Sequence, residues 1–115
     1  MVRGEIRVVN LEPVRAGEAN ERRPAVIVSN DGANAAAARL SRGVITVVPL
    51  TSNVERIYPF QVLLRSDDVG LSRDSKAQAE QVRSVSVDRV GERIGAVPSQ
   101  QMLEVDAALR VHLAL

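Results

Sequence analysis

Two short runs carry the residues of this chain best suited to act on a phosphodiester: Arg23-Pro24 and Pro49-Leu50-Thr51. Proline fixes its own φ and pushes the residue before it into extended backbone. Arg23 is therefore a cation held at a set exit angle at the foot of the apolar run Pro24–Val28. A guanidinium stays protonated and presents a planar fork of donors that matches phosphate oxygens. The chain has two threonines, Thr46 and Thr51. Thr46 lies inside the apolar run Val44–Val48 and is expected to face a neighbouring strand. Thr51 opens a polar loop at the exit of that run. If the two runs pair as antiparallel strands, the start of one and the end of the other fall on the same side of a sheet. Arg23 and Thr51 then face each other across a cleft.

The rest of the composition narrows what such a pair can do. Among 115 residues there is no cysteine and one histidine, His112. That removes disulfides, thiol nucleophiles, thiolate metal sites and any His–His acid–base pair within one chain. No G-x-S-x-G elbow and no phosphate-cradling glycine loop is present. Glu18 and Glu21 lie in the Arg23 loop, and Asp74 and Glu80 lie downstream, without the spacing of a metal site. Neither a metal nor another cofactor is expected. RNA fits this sparse inventory because its 2′-hydroxyl is a built-in nucleophile. The protein has only to align that attack, stabilise the charge on the pentavalent phosphorus, and accept and donate protons. One well-placed donor is worth roughly 3–4 kcal/mol of barrier.

Fourteen of the fifteen basic residues are arginine, which suits bidentate phosphate contact. The net charge of +1 by itself predicts no partner. Tyr58 and Phe60 are the aromatic residues, too few for a stacked platform that grips single strands. No apolar run approaches the ~20 residues of a membrane span. Met1-Val2-Arg3-Gly4-Glu5 lacks the apolar stretch of a signal peptide, so a cytoplasmic location and no membrane partner are expected.

The elements that must position the pair follow from the apolar pattern. Gly4–Leu11 reads as a strand ended by Glu12-Pro13, and Val14–Arg23 as a polar loop. Pro24–Val28 is continuously apolar, as in a strand covered on both faces. Ser29–Gly32 is a turn cluster, and Asn34–Leu40 an alanine-rich helical turn or two. Val44–Val48 is a strand that Pro49 closes or edges. Phe60–Leu64 is a strand, Ser66–Gly70 an acidic loop, Gln81–Val85 a strand, Asp88–Val90 a turn and Arg93–Val97 a last short strand. Ser99 reads as the N-cap of a terminal helix whose stripe is Met102, Val105, Leu109 and Leu113. His112 is expected at the stripe's edge, packed on the barrel or a partner chain. The fold class is α+β, mainly β: one domain over residues 1–115, a small, partly open barrel with a helix packed on it.

In order and spacing the chain resembles the MazF/PemK toxin family. The resemblance is carried by Arg3-Gly4-Glu5-Ile6, Leu11-Glu12-Pro13-Val14, Gly17-Glu18 and Arg23-Pro24 through Asp31. It continues through Val47–Ser52, Gly70–Ser75, Glu80–Val85 and Glu104–Leu109. It implies an SH3-like (CcdB/PemK-type) barrel with short helices and a C-terminal amphipathic helix. It implies a homodimeric toxin of a type II toxin–antitoxin pair that cuts single-stranded RNA without metal. The cut leaves a 2′,3′-cyclic phosphate and a 5′-hydroxyl, and halts translation and growth until an antitoxin binds. The family's catalytic pair matches Arg23 and Thr51, and its first-loop acid matches Glu18. Its Glu-Gln-x-Arg segment matches Glu80, Gln81 and Arg83, expected to be mainly structural, with Glu80 or Gln81 near RNA. The chain departs from many members at Arg7 and Ala19. Where the PemK-like branch has a His and an Arg it has Gly17 and Gln78, so that branch's acid–base pair does not carry over.

The expected function is a sequence-specific endoribonuclease in which Arg23 meets the scissile phosphate and Thr51 helps align the 2′-hydroxyl. Glu18, Asn20, Ser52, Asn53, Arg56 and Gln81 are expected to meet the RNA, those of the two polar loops selecting bases. The substrate is mRNA, with tRNA and rRNA open. A cognate antitoxin is expected to cover the RNA groove. The alternative is a CcdB-like toxin that poisons gyrase. That group ends in a Trp-Gly-Ile-type tail, whereas this chain ends His112-Leu113-Ala114-Leu115 and has no tryptophan.

Overall fold

Alternating apolar residues become seven strands in a computed structural model that describes residues 1–11 and 22–115. In chain order the elements are β1 (Glu5–Asn10), β2 (Arg22–Ile27), α1 (Asp31–Leu40), β3 (Val44–Thr51), β4 (Gln61–Leu64), α2 (Ser66–Val69), β5 (Ser75–Gln78), β6 (Arg83–Ser86), β7 (Val90–Ala96) and α3 (Ser99–Leu113). Single 3-10 turns, Ala79–Gln81 and Val87–Arg89, join β5 to β6 and β6 to β7. All pairings are antiparallel, in the order β4-β5-β3-β2-β1-β7, with β6 also on β3. The mainly β, partly open barrel with a C-terminal helix is the architecture expected from the sequence.

Strands β2 and β3 form the wall between two apolar cores. Val26, Val48 and Leu50 face one core, which β4, β5 and the α3 residues Met102, Val105 and Ala108 complete. Ala25, Ile27, Ile45 and Val47 face the other, with Val9, Leu11, Ala37 and Val85. The strand period of two sends successive residues to opposite cores. The continuous apolar run at 24–28 is thus a strand buried on both faces.

Several expectations shift. β2 starts at Arg22, so Arg23 is a strand residue opposite Val9 rather than a loop cation. β3 runs through Pro49 to Thr51 and is not closed by the proline. Pairing with β6 ends at Val47 and pairing with β5 begins at Leu50. Pro49 thus sits where β3 changes partner, a gap that tolerates a missing N–H. The 81–85 strand lies at Arg83–Ser86, and β5 was not expected. The acidic segment 66–69 is a helical turn. Pro98, not Ser99, is the N-cap of α3, with no side-chain cap bond. Leu113 and His112 are exposed, and Ala108 takes the buried place in the stripe.

Polar side chains lock the corners. Asn30 caps α1 by accepting from Ala33 N at 2.8 Å. Asn34, fully buried, donates to the Ser29 carbonyl at 2.8 Å, and Ser29 Oγ accepts from Thr46 N at 3.1 Å. Arg3 donates through Nε to the Val28 carbonyl at 2.9 Å and pairs with Asp106 of α3. The Glu5 carboxyl lies below its ordinary range. Burial works against this, but the Val2 N–H and the neighbouring Arg7 outweigh it.

Gly95 matters for the segment that follows α2. A Cβ there would stand 2.4 Å from the Val69 carbonyl oxygen and 3.4 Å from Leu71. Gly70 ends α2 at φ 82°, the left-handed region glycine enters without strain. Together they let residues 69–71 lie tight against β7. Gly95→Ala is expected to cost about 1–3 kcal/mol in urea denaturation, from the overlap with backbone.

Candidate active site

The β2–β3 register sets the candidate pair face to face. Ala25 pairs with Pro49, Val26 with Val48 and Ile27 with Val47. Carried two residues further, the same register puts Arg23 opposite Thr51. Both line one cleft of about 320 Å³. Its floor is Pro24, Leu50, Leu71 and Ile94; Ser52, Ser72, Arg73 and Ser75 supply polar groups.

Arg23 is tied down by neighbours on β3 and β5. Its Nη2 donates to the Leu50 carbonyl at 2.8 Å and to Gln78 Oε1 at 2.7 Å. Leu50 is itself 1% exposed, so one of these anchors belongs to the core. Thr51 Oγ1 accepts from Asn53 N at 3.2 Å. That bond uses a lone pair and leaves the hydroxyl proton to be donated into the cleft. The result is a half-buried cation and a hydroxyl donor on adjacent strands.

The other expected residues divide. Ser52 is in the same cleft. Asn53 and Arg56 line a neighbouring hollow with Glu55, Tyr58 and Lys76. There Asn53 Oδ1 accepts from Glu55 N at 3.3 Å, and Arg56 donates to Tyr58 Oη at 3.2 Å. The Arg56 guanidinium lies 5.8 Å from the centre of the Tyr58 ring, which stacks on Phe60 with centroids 5.4 Å apart. Gln81 is exposed on a 3-10 turn and is not among the residues lining the Arg23 cleft. Glu18 and Asn20 lie outside the described residues. Glu80 receives the Gln61 amide at 2.7 Å, the structural role expected of it. Arg83 donates to the Leu11 carbonyl at 3.1 Å and is likewise structural.

Sequence reasoning missed Arg73 as a cleft residue and Gln78 as a partner of Arg23. Arg73 lies in the Gly70–Ser75 segment that carries part of the resemblance, but nothing local marks it as a cleft residue. Gln78 meets Arg23 across 55 residues of chain. Among the described residues no three His, Cys, Asp or Glu side chains are grouped to hold a metal ion, and no helix is long and apolar enough to cross a membrane.

Comparison with known proteins gives this fold a family. Residues 2–113 match the model of the PemK-like, MazF-like toxins of type II toxin–antitoxin systems, and the chain belongs to that family. It is 56% identical over 115 residues to endoribonuclease MazF9 of Mycobacterium tuberculosis, covering all of this chain and 98% of the relative. It is 31% identical over 114 residues to endoribonuclease EndoA of Bacillus subtilis, covering 98% and 94%. The crystal structure of MazF from Deinococcus radiodurans superposes with a TM-score of 0.76 at 26% identity, covering 100% and 97%. A mycobacterial endoribonuclease solved in complex with its cognate antitoxin superposes with a TM-score of 0.77 at 25% identity, covering 100% and 96%. Endoribonuclease is the activity class of this chain.

Arg73 is exposed at the cleft rim, away from either core. Arg73→Ala is expected to leave the urea midpoint within about 0.5 kcal/mol of wild type. It is expected to reduce the salt dependence of binding to a single-stranded DNA oligonucleotide by about one phosphate contact.

Proposed function

We propose that this protein cuts single-stranded RNA by directing the 2′-hydroxyl onto the adjacent phosphorus. The observation that carries the reading is the cross-strand pair: Arg23 and Thr51 line one cleft, the arginine held by Leu50 and Gln78 and the threonine with a proton to donate. In the reaction the 2′-oxygen–phosphorus bond forms and the phosphorus–5′-oxygen bond breaks. One proton leaves the 2′-hydroxyl and one reaches the departing 5′-oxygen. The products are a 2′,3′-cyclic phosphate and a 5′-hydroxyl. Charge builds on the equatorial phosphate oxygens, and a cation with a hydroxyl donor beside it stabilises that charge more than the ground state. Arg23 remains protonated throughout, so its part is electrostatic. No step draws on a metal ion.

Sequence choice belongs to side chains around the pair. Ser52 lines the cleft and Asn53 and Arg56 the next hollow along the same loop. We assign these, with Glu18, Asn20 and Gln81, to contacts with the RNA. The protein acts as a homodimer, a reading supported by Leu103, Val111 and Leu113, which leave apolar surface on the outer side of α3. A cognate antitoxin neutralises it, as a complex of that kind exists for the mycobacterial neighbour. Inhibition of translation in the cytoplasm follows from mRNA cleavage.

The test is cleavage of a fluorogenic RNA in the presence of EDTA. Wild type is expected to cut, and Arg23→Ala and Thr51→Ala each to lose roughly 10²–10³ in kcat. Cutting retained by both variants would sink the assignment.

A further inference from the structure

We infer that Lys76 forms a second anion subsite, which takes a neighbouring phosphodiester of the strand being cut. The inference rests on the proposed RNA cleavage and adds a residue that holds the strand beside the cut.

Lys76 is the one lysine of the chain and is 9% exposed. An ammonium taken out of water has to be compensated by acceptors or by opposite charge. Among the described residues Lys76 has one acceptor and no carboxylate partner. Its Nζ donates to the Arg56 carbonyl at 2.7 Å and lies 5.9 Å from the centre of the Tyr58 ring. An ammonium carries three N–H donors, so two are not used by the protein. Lys76 lines a hollow of about 560 Å³ that Asn53, Glu55, Arg56 and Tyr58 complete. The Arg56 guanidinium stands over the same ring at 5.8 Å. Among the described residues no ion pair joins either cation to Glu55. Two cations against one carboxylate leave the hollow positive. An ammonium offers donors and no acceptor, so it suits an anion better than a base edge that mixes the two.

The hollow continues the cleft. Lys76 pairs directly with Thr51 across β3 and β5, and opposite residues of an antiparallel pair share a face. Arg23, Thr51 and Lys76 therefore form a row across the adjacent strands β2, β3 and β5. The chain after β3 makes the same passage, since Thr51 and Ser52 line the cleft and Asn53 the hollow. A single strand leaving the cleft along this row meets Lys76 as its next cation on the sheet.

Because the chain has one lysine, the ¹H–¹³C signal of the Lys76 Cε group identifies itself in the wild-type protein. The probe is a short single-stranded DNA of mixed sequence, which offers phosphates and no 2′-hydroxyl. The signal is expected to shift as the DNA binds and to return as salt is raised. In Lys76→Met the slope of log affinity against log salt is expected to shrink by about 0.7, one single-strand phosphate contact. Lys76→Arg keeps the charge and is expected to keep the slope. KM for RNA cleavage is expected to rise roughly 10-fold in Lys76→Met, as for one charge-assisted hydrogen bond lost. A Lys76 signal that does not move while DNA is bound would overturn the inference, as would a Lys76→Met slope equal to that of wild type. A signal moved by a glutamate-rich peptide and not by DNA would give the hollow to a protein carboxylate and overturn it too. The signal needs no variant, so it decides the matter even where Lys76→Met folds poorly. If DNA moves the Lys76 signal but wild type does not cut RNA, the cleavage reading fails and the phosphate subsite is still supported.

Discussion

Strands β2 and β3 hold one register because both faces of the pair are buried. Ala25, Val26 and Ile27 are fully enclosed, as are Val47 and Val48 opposite them. A slip of one residue would exchange Val26 for Ala25 or Ile27 in each core and unseat both. It would also carry Arg23 about 3.4 Å along the strand, away from Thr51. The alignment of a cation with a hydroxyl is thus a by-product of apolar packing several residues away. Arg3 ties the start of β1 to the end of β2 and to α3, and the Ser29–Asn34 bonds tie α1 to β3.

Such a frame explains how few chemical groups suffice. In the proposed reaction the substrate brings the nucleophile and the electrophile. What remains is to hold a positive charge and a donor still in a partly dry cleft, where each is worth more than in water. Rigidity is the costly part, and the sheet supplies it. Leu50 joins the two levels, with its side chain in the core and its carbonyl on Arg23.

The candidate pair was more legible in the sequence than the elements that support it. Arg23 and Thr51 stand next to prolines and apolar runs, so local rules find them. Their membership in strands was obscured, because the rule that proline ends a strand fails where β3 changes partners at Pro49. β5 was invisible for a related reason. Ser75-Lys76-Ala77-Gln78 has no β-branched or aromatic residue, and it is a strand because β3 and β4 pair with it on either side. Lys76 is buried there by donating to the Arg56 carbonyl at 2.7 Å, a partner no spacing rule reveals. Missing β5 meant missing Gln78. The terminal helix was legible as an amphipath, but its stripe was carried too far, since the helix outruns the barrel before Leu113.

The central claim is that the cleft works by aligning the RNA's own 2′-hydroxyl with its phosphorus. The most direct measurement uses an RNA that wild type cuts and the same RNA with a single 2′-deoxy nucleotide on the 5′ side of the scissile phosphate. The account predicts that cleavage at that bond stops while the modified strand still binds. Cleavage continuing at that bond would contradict it, because the nucleophile would then have to come from water or the protein.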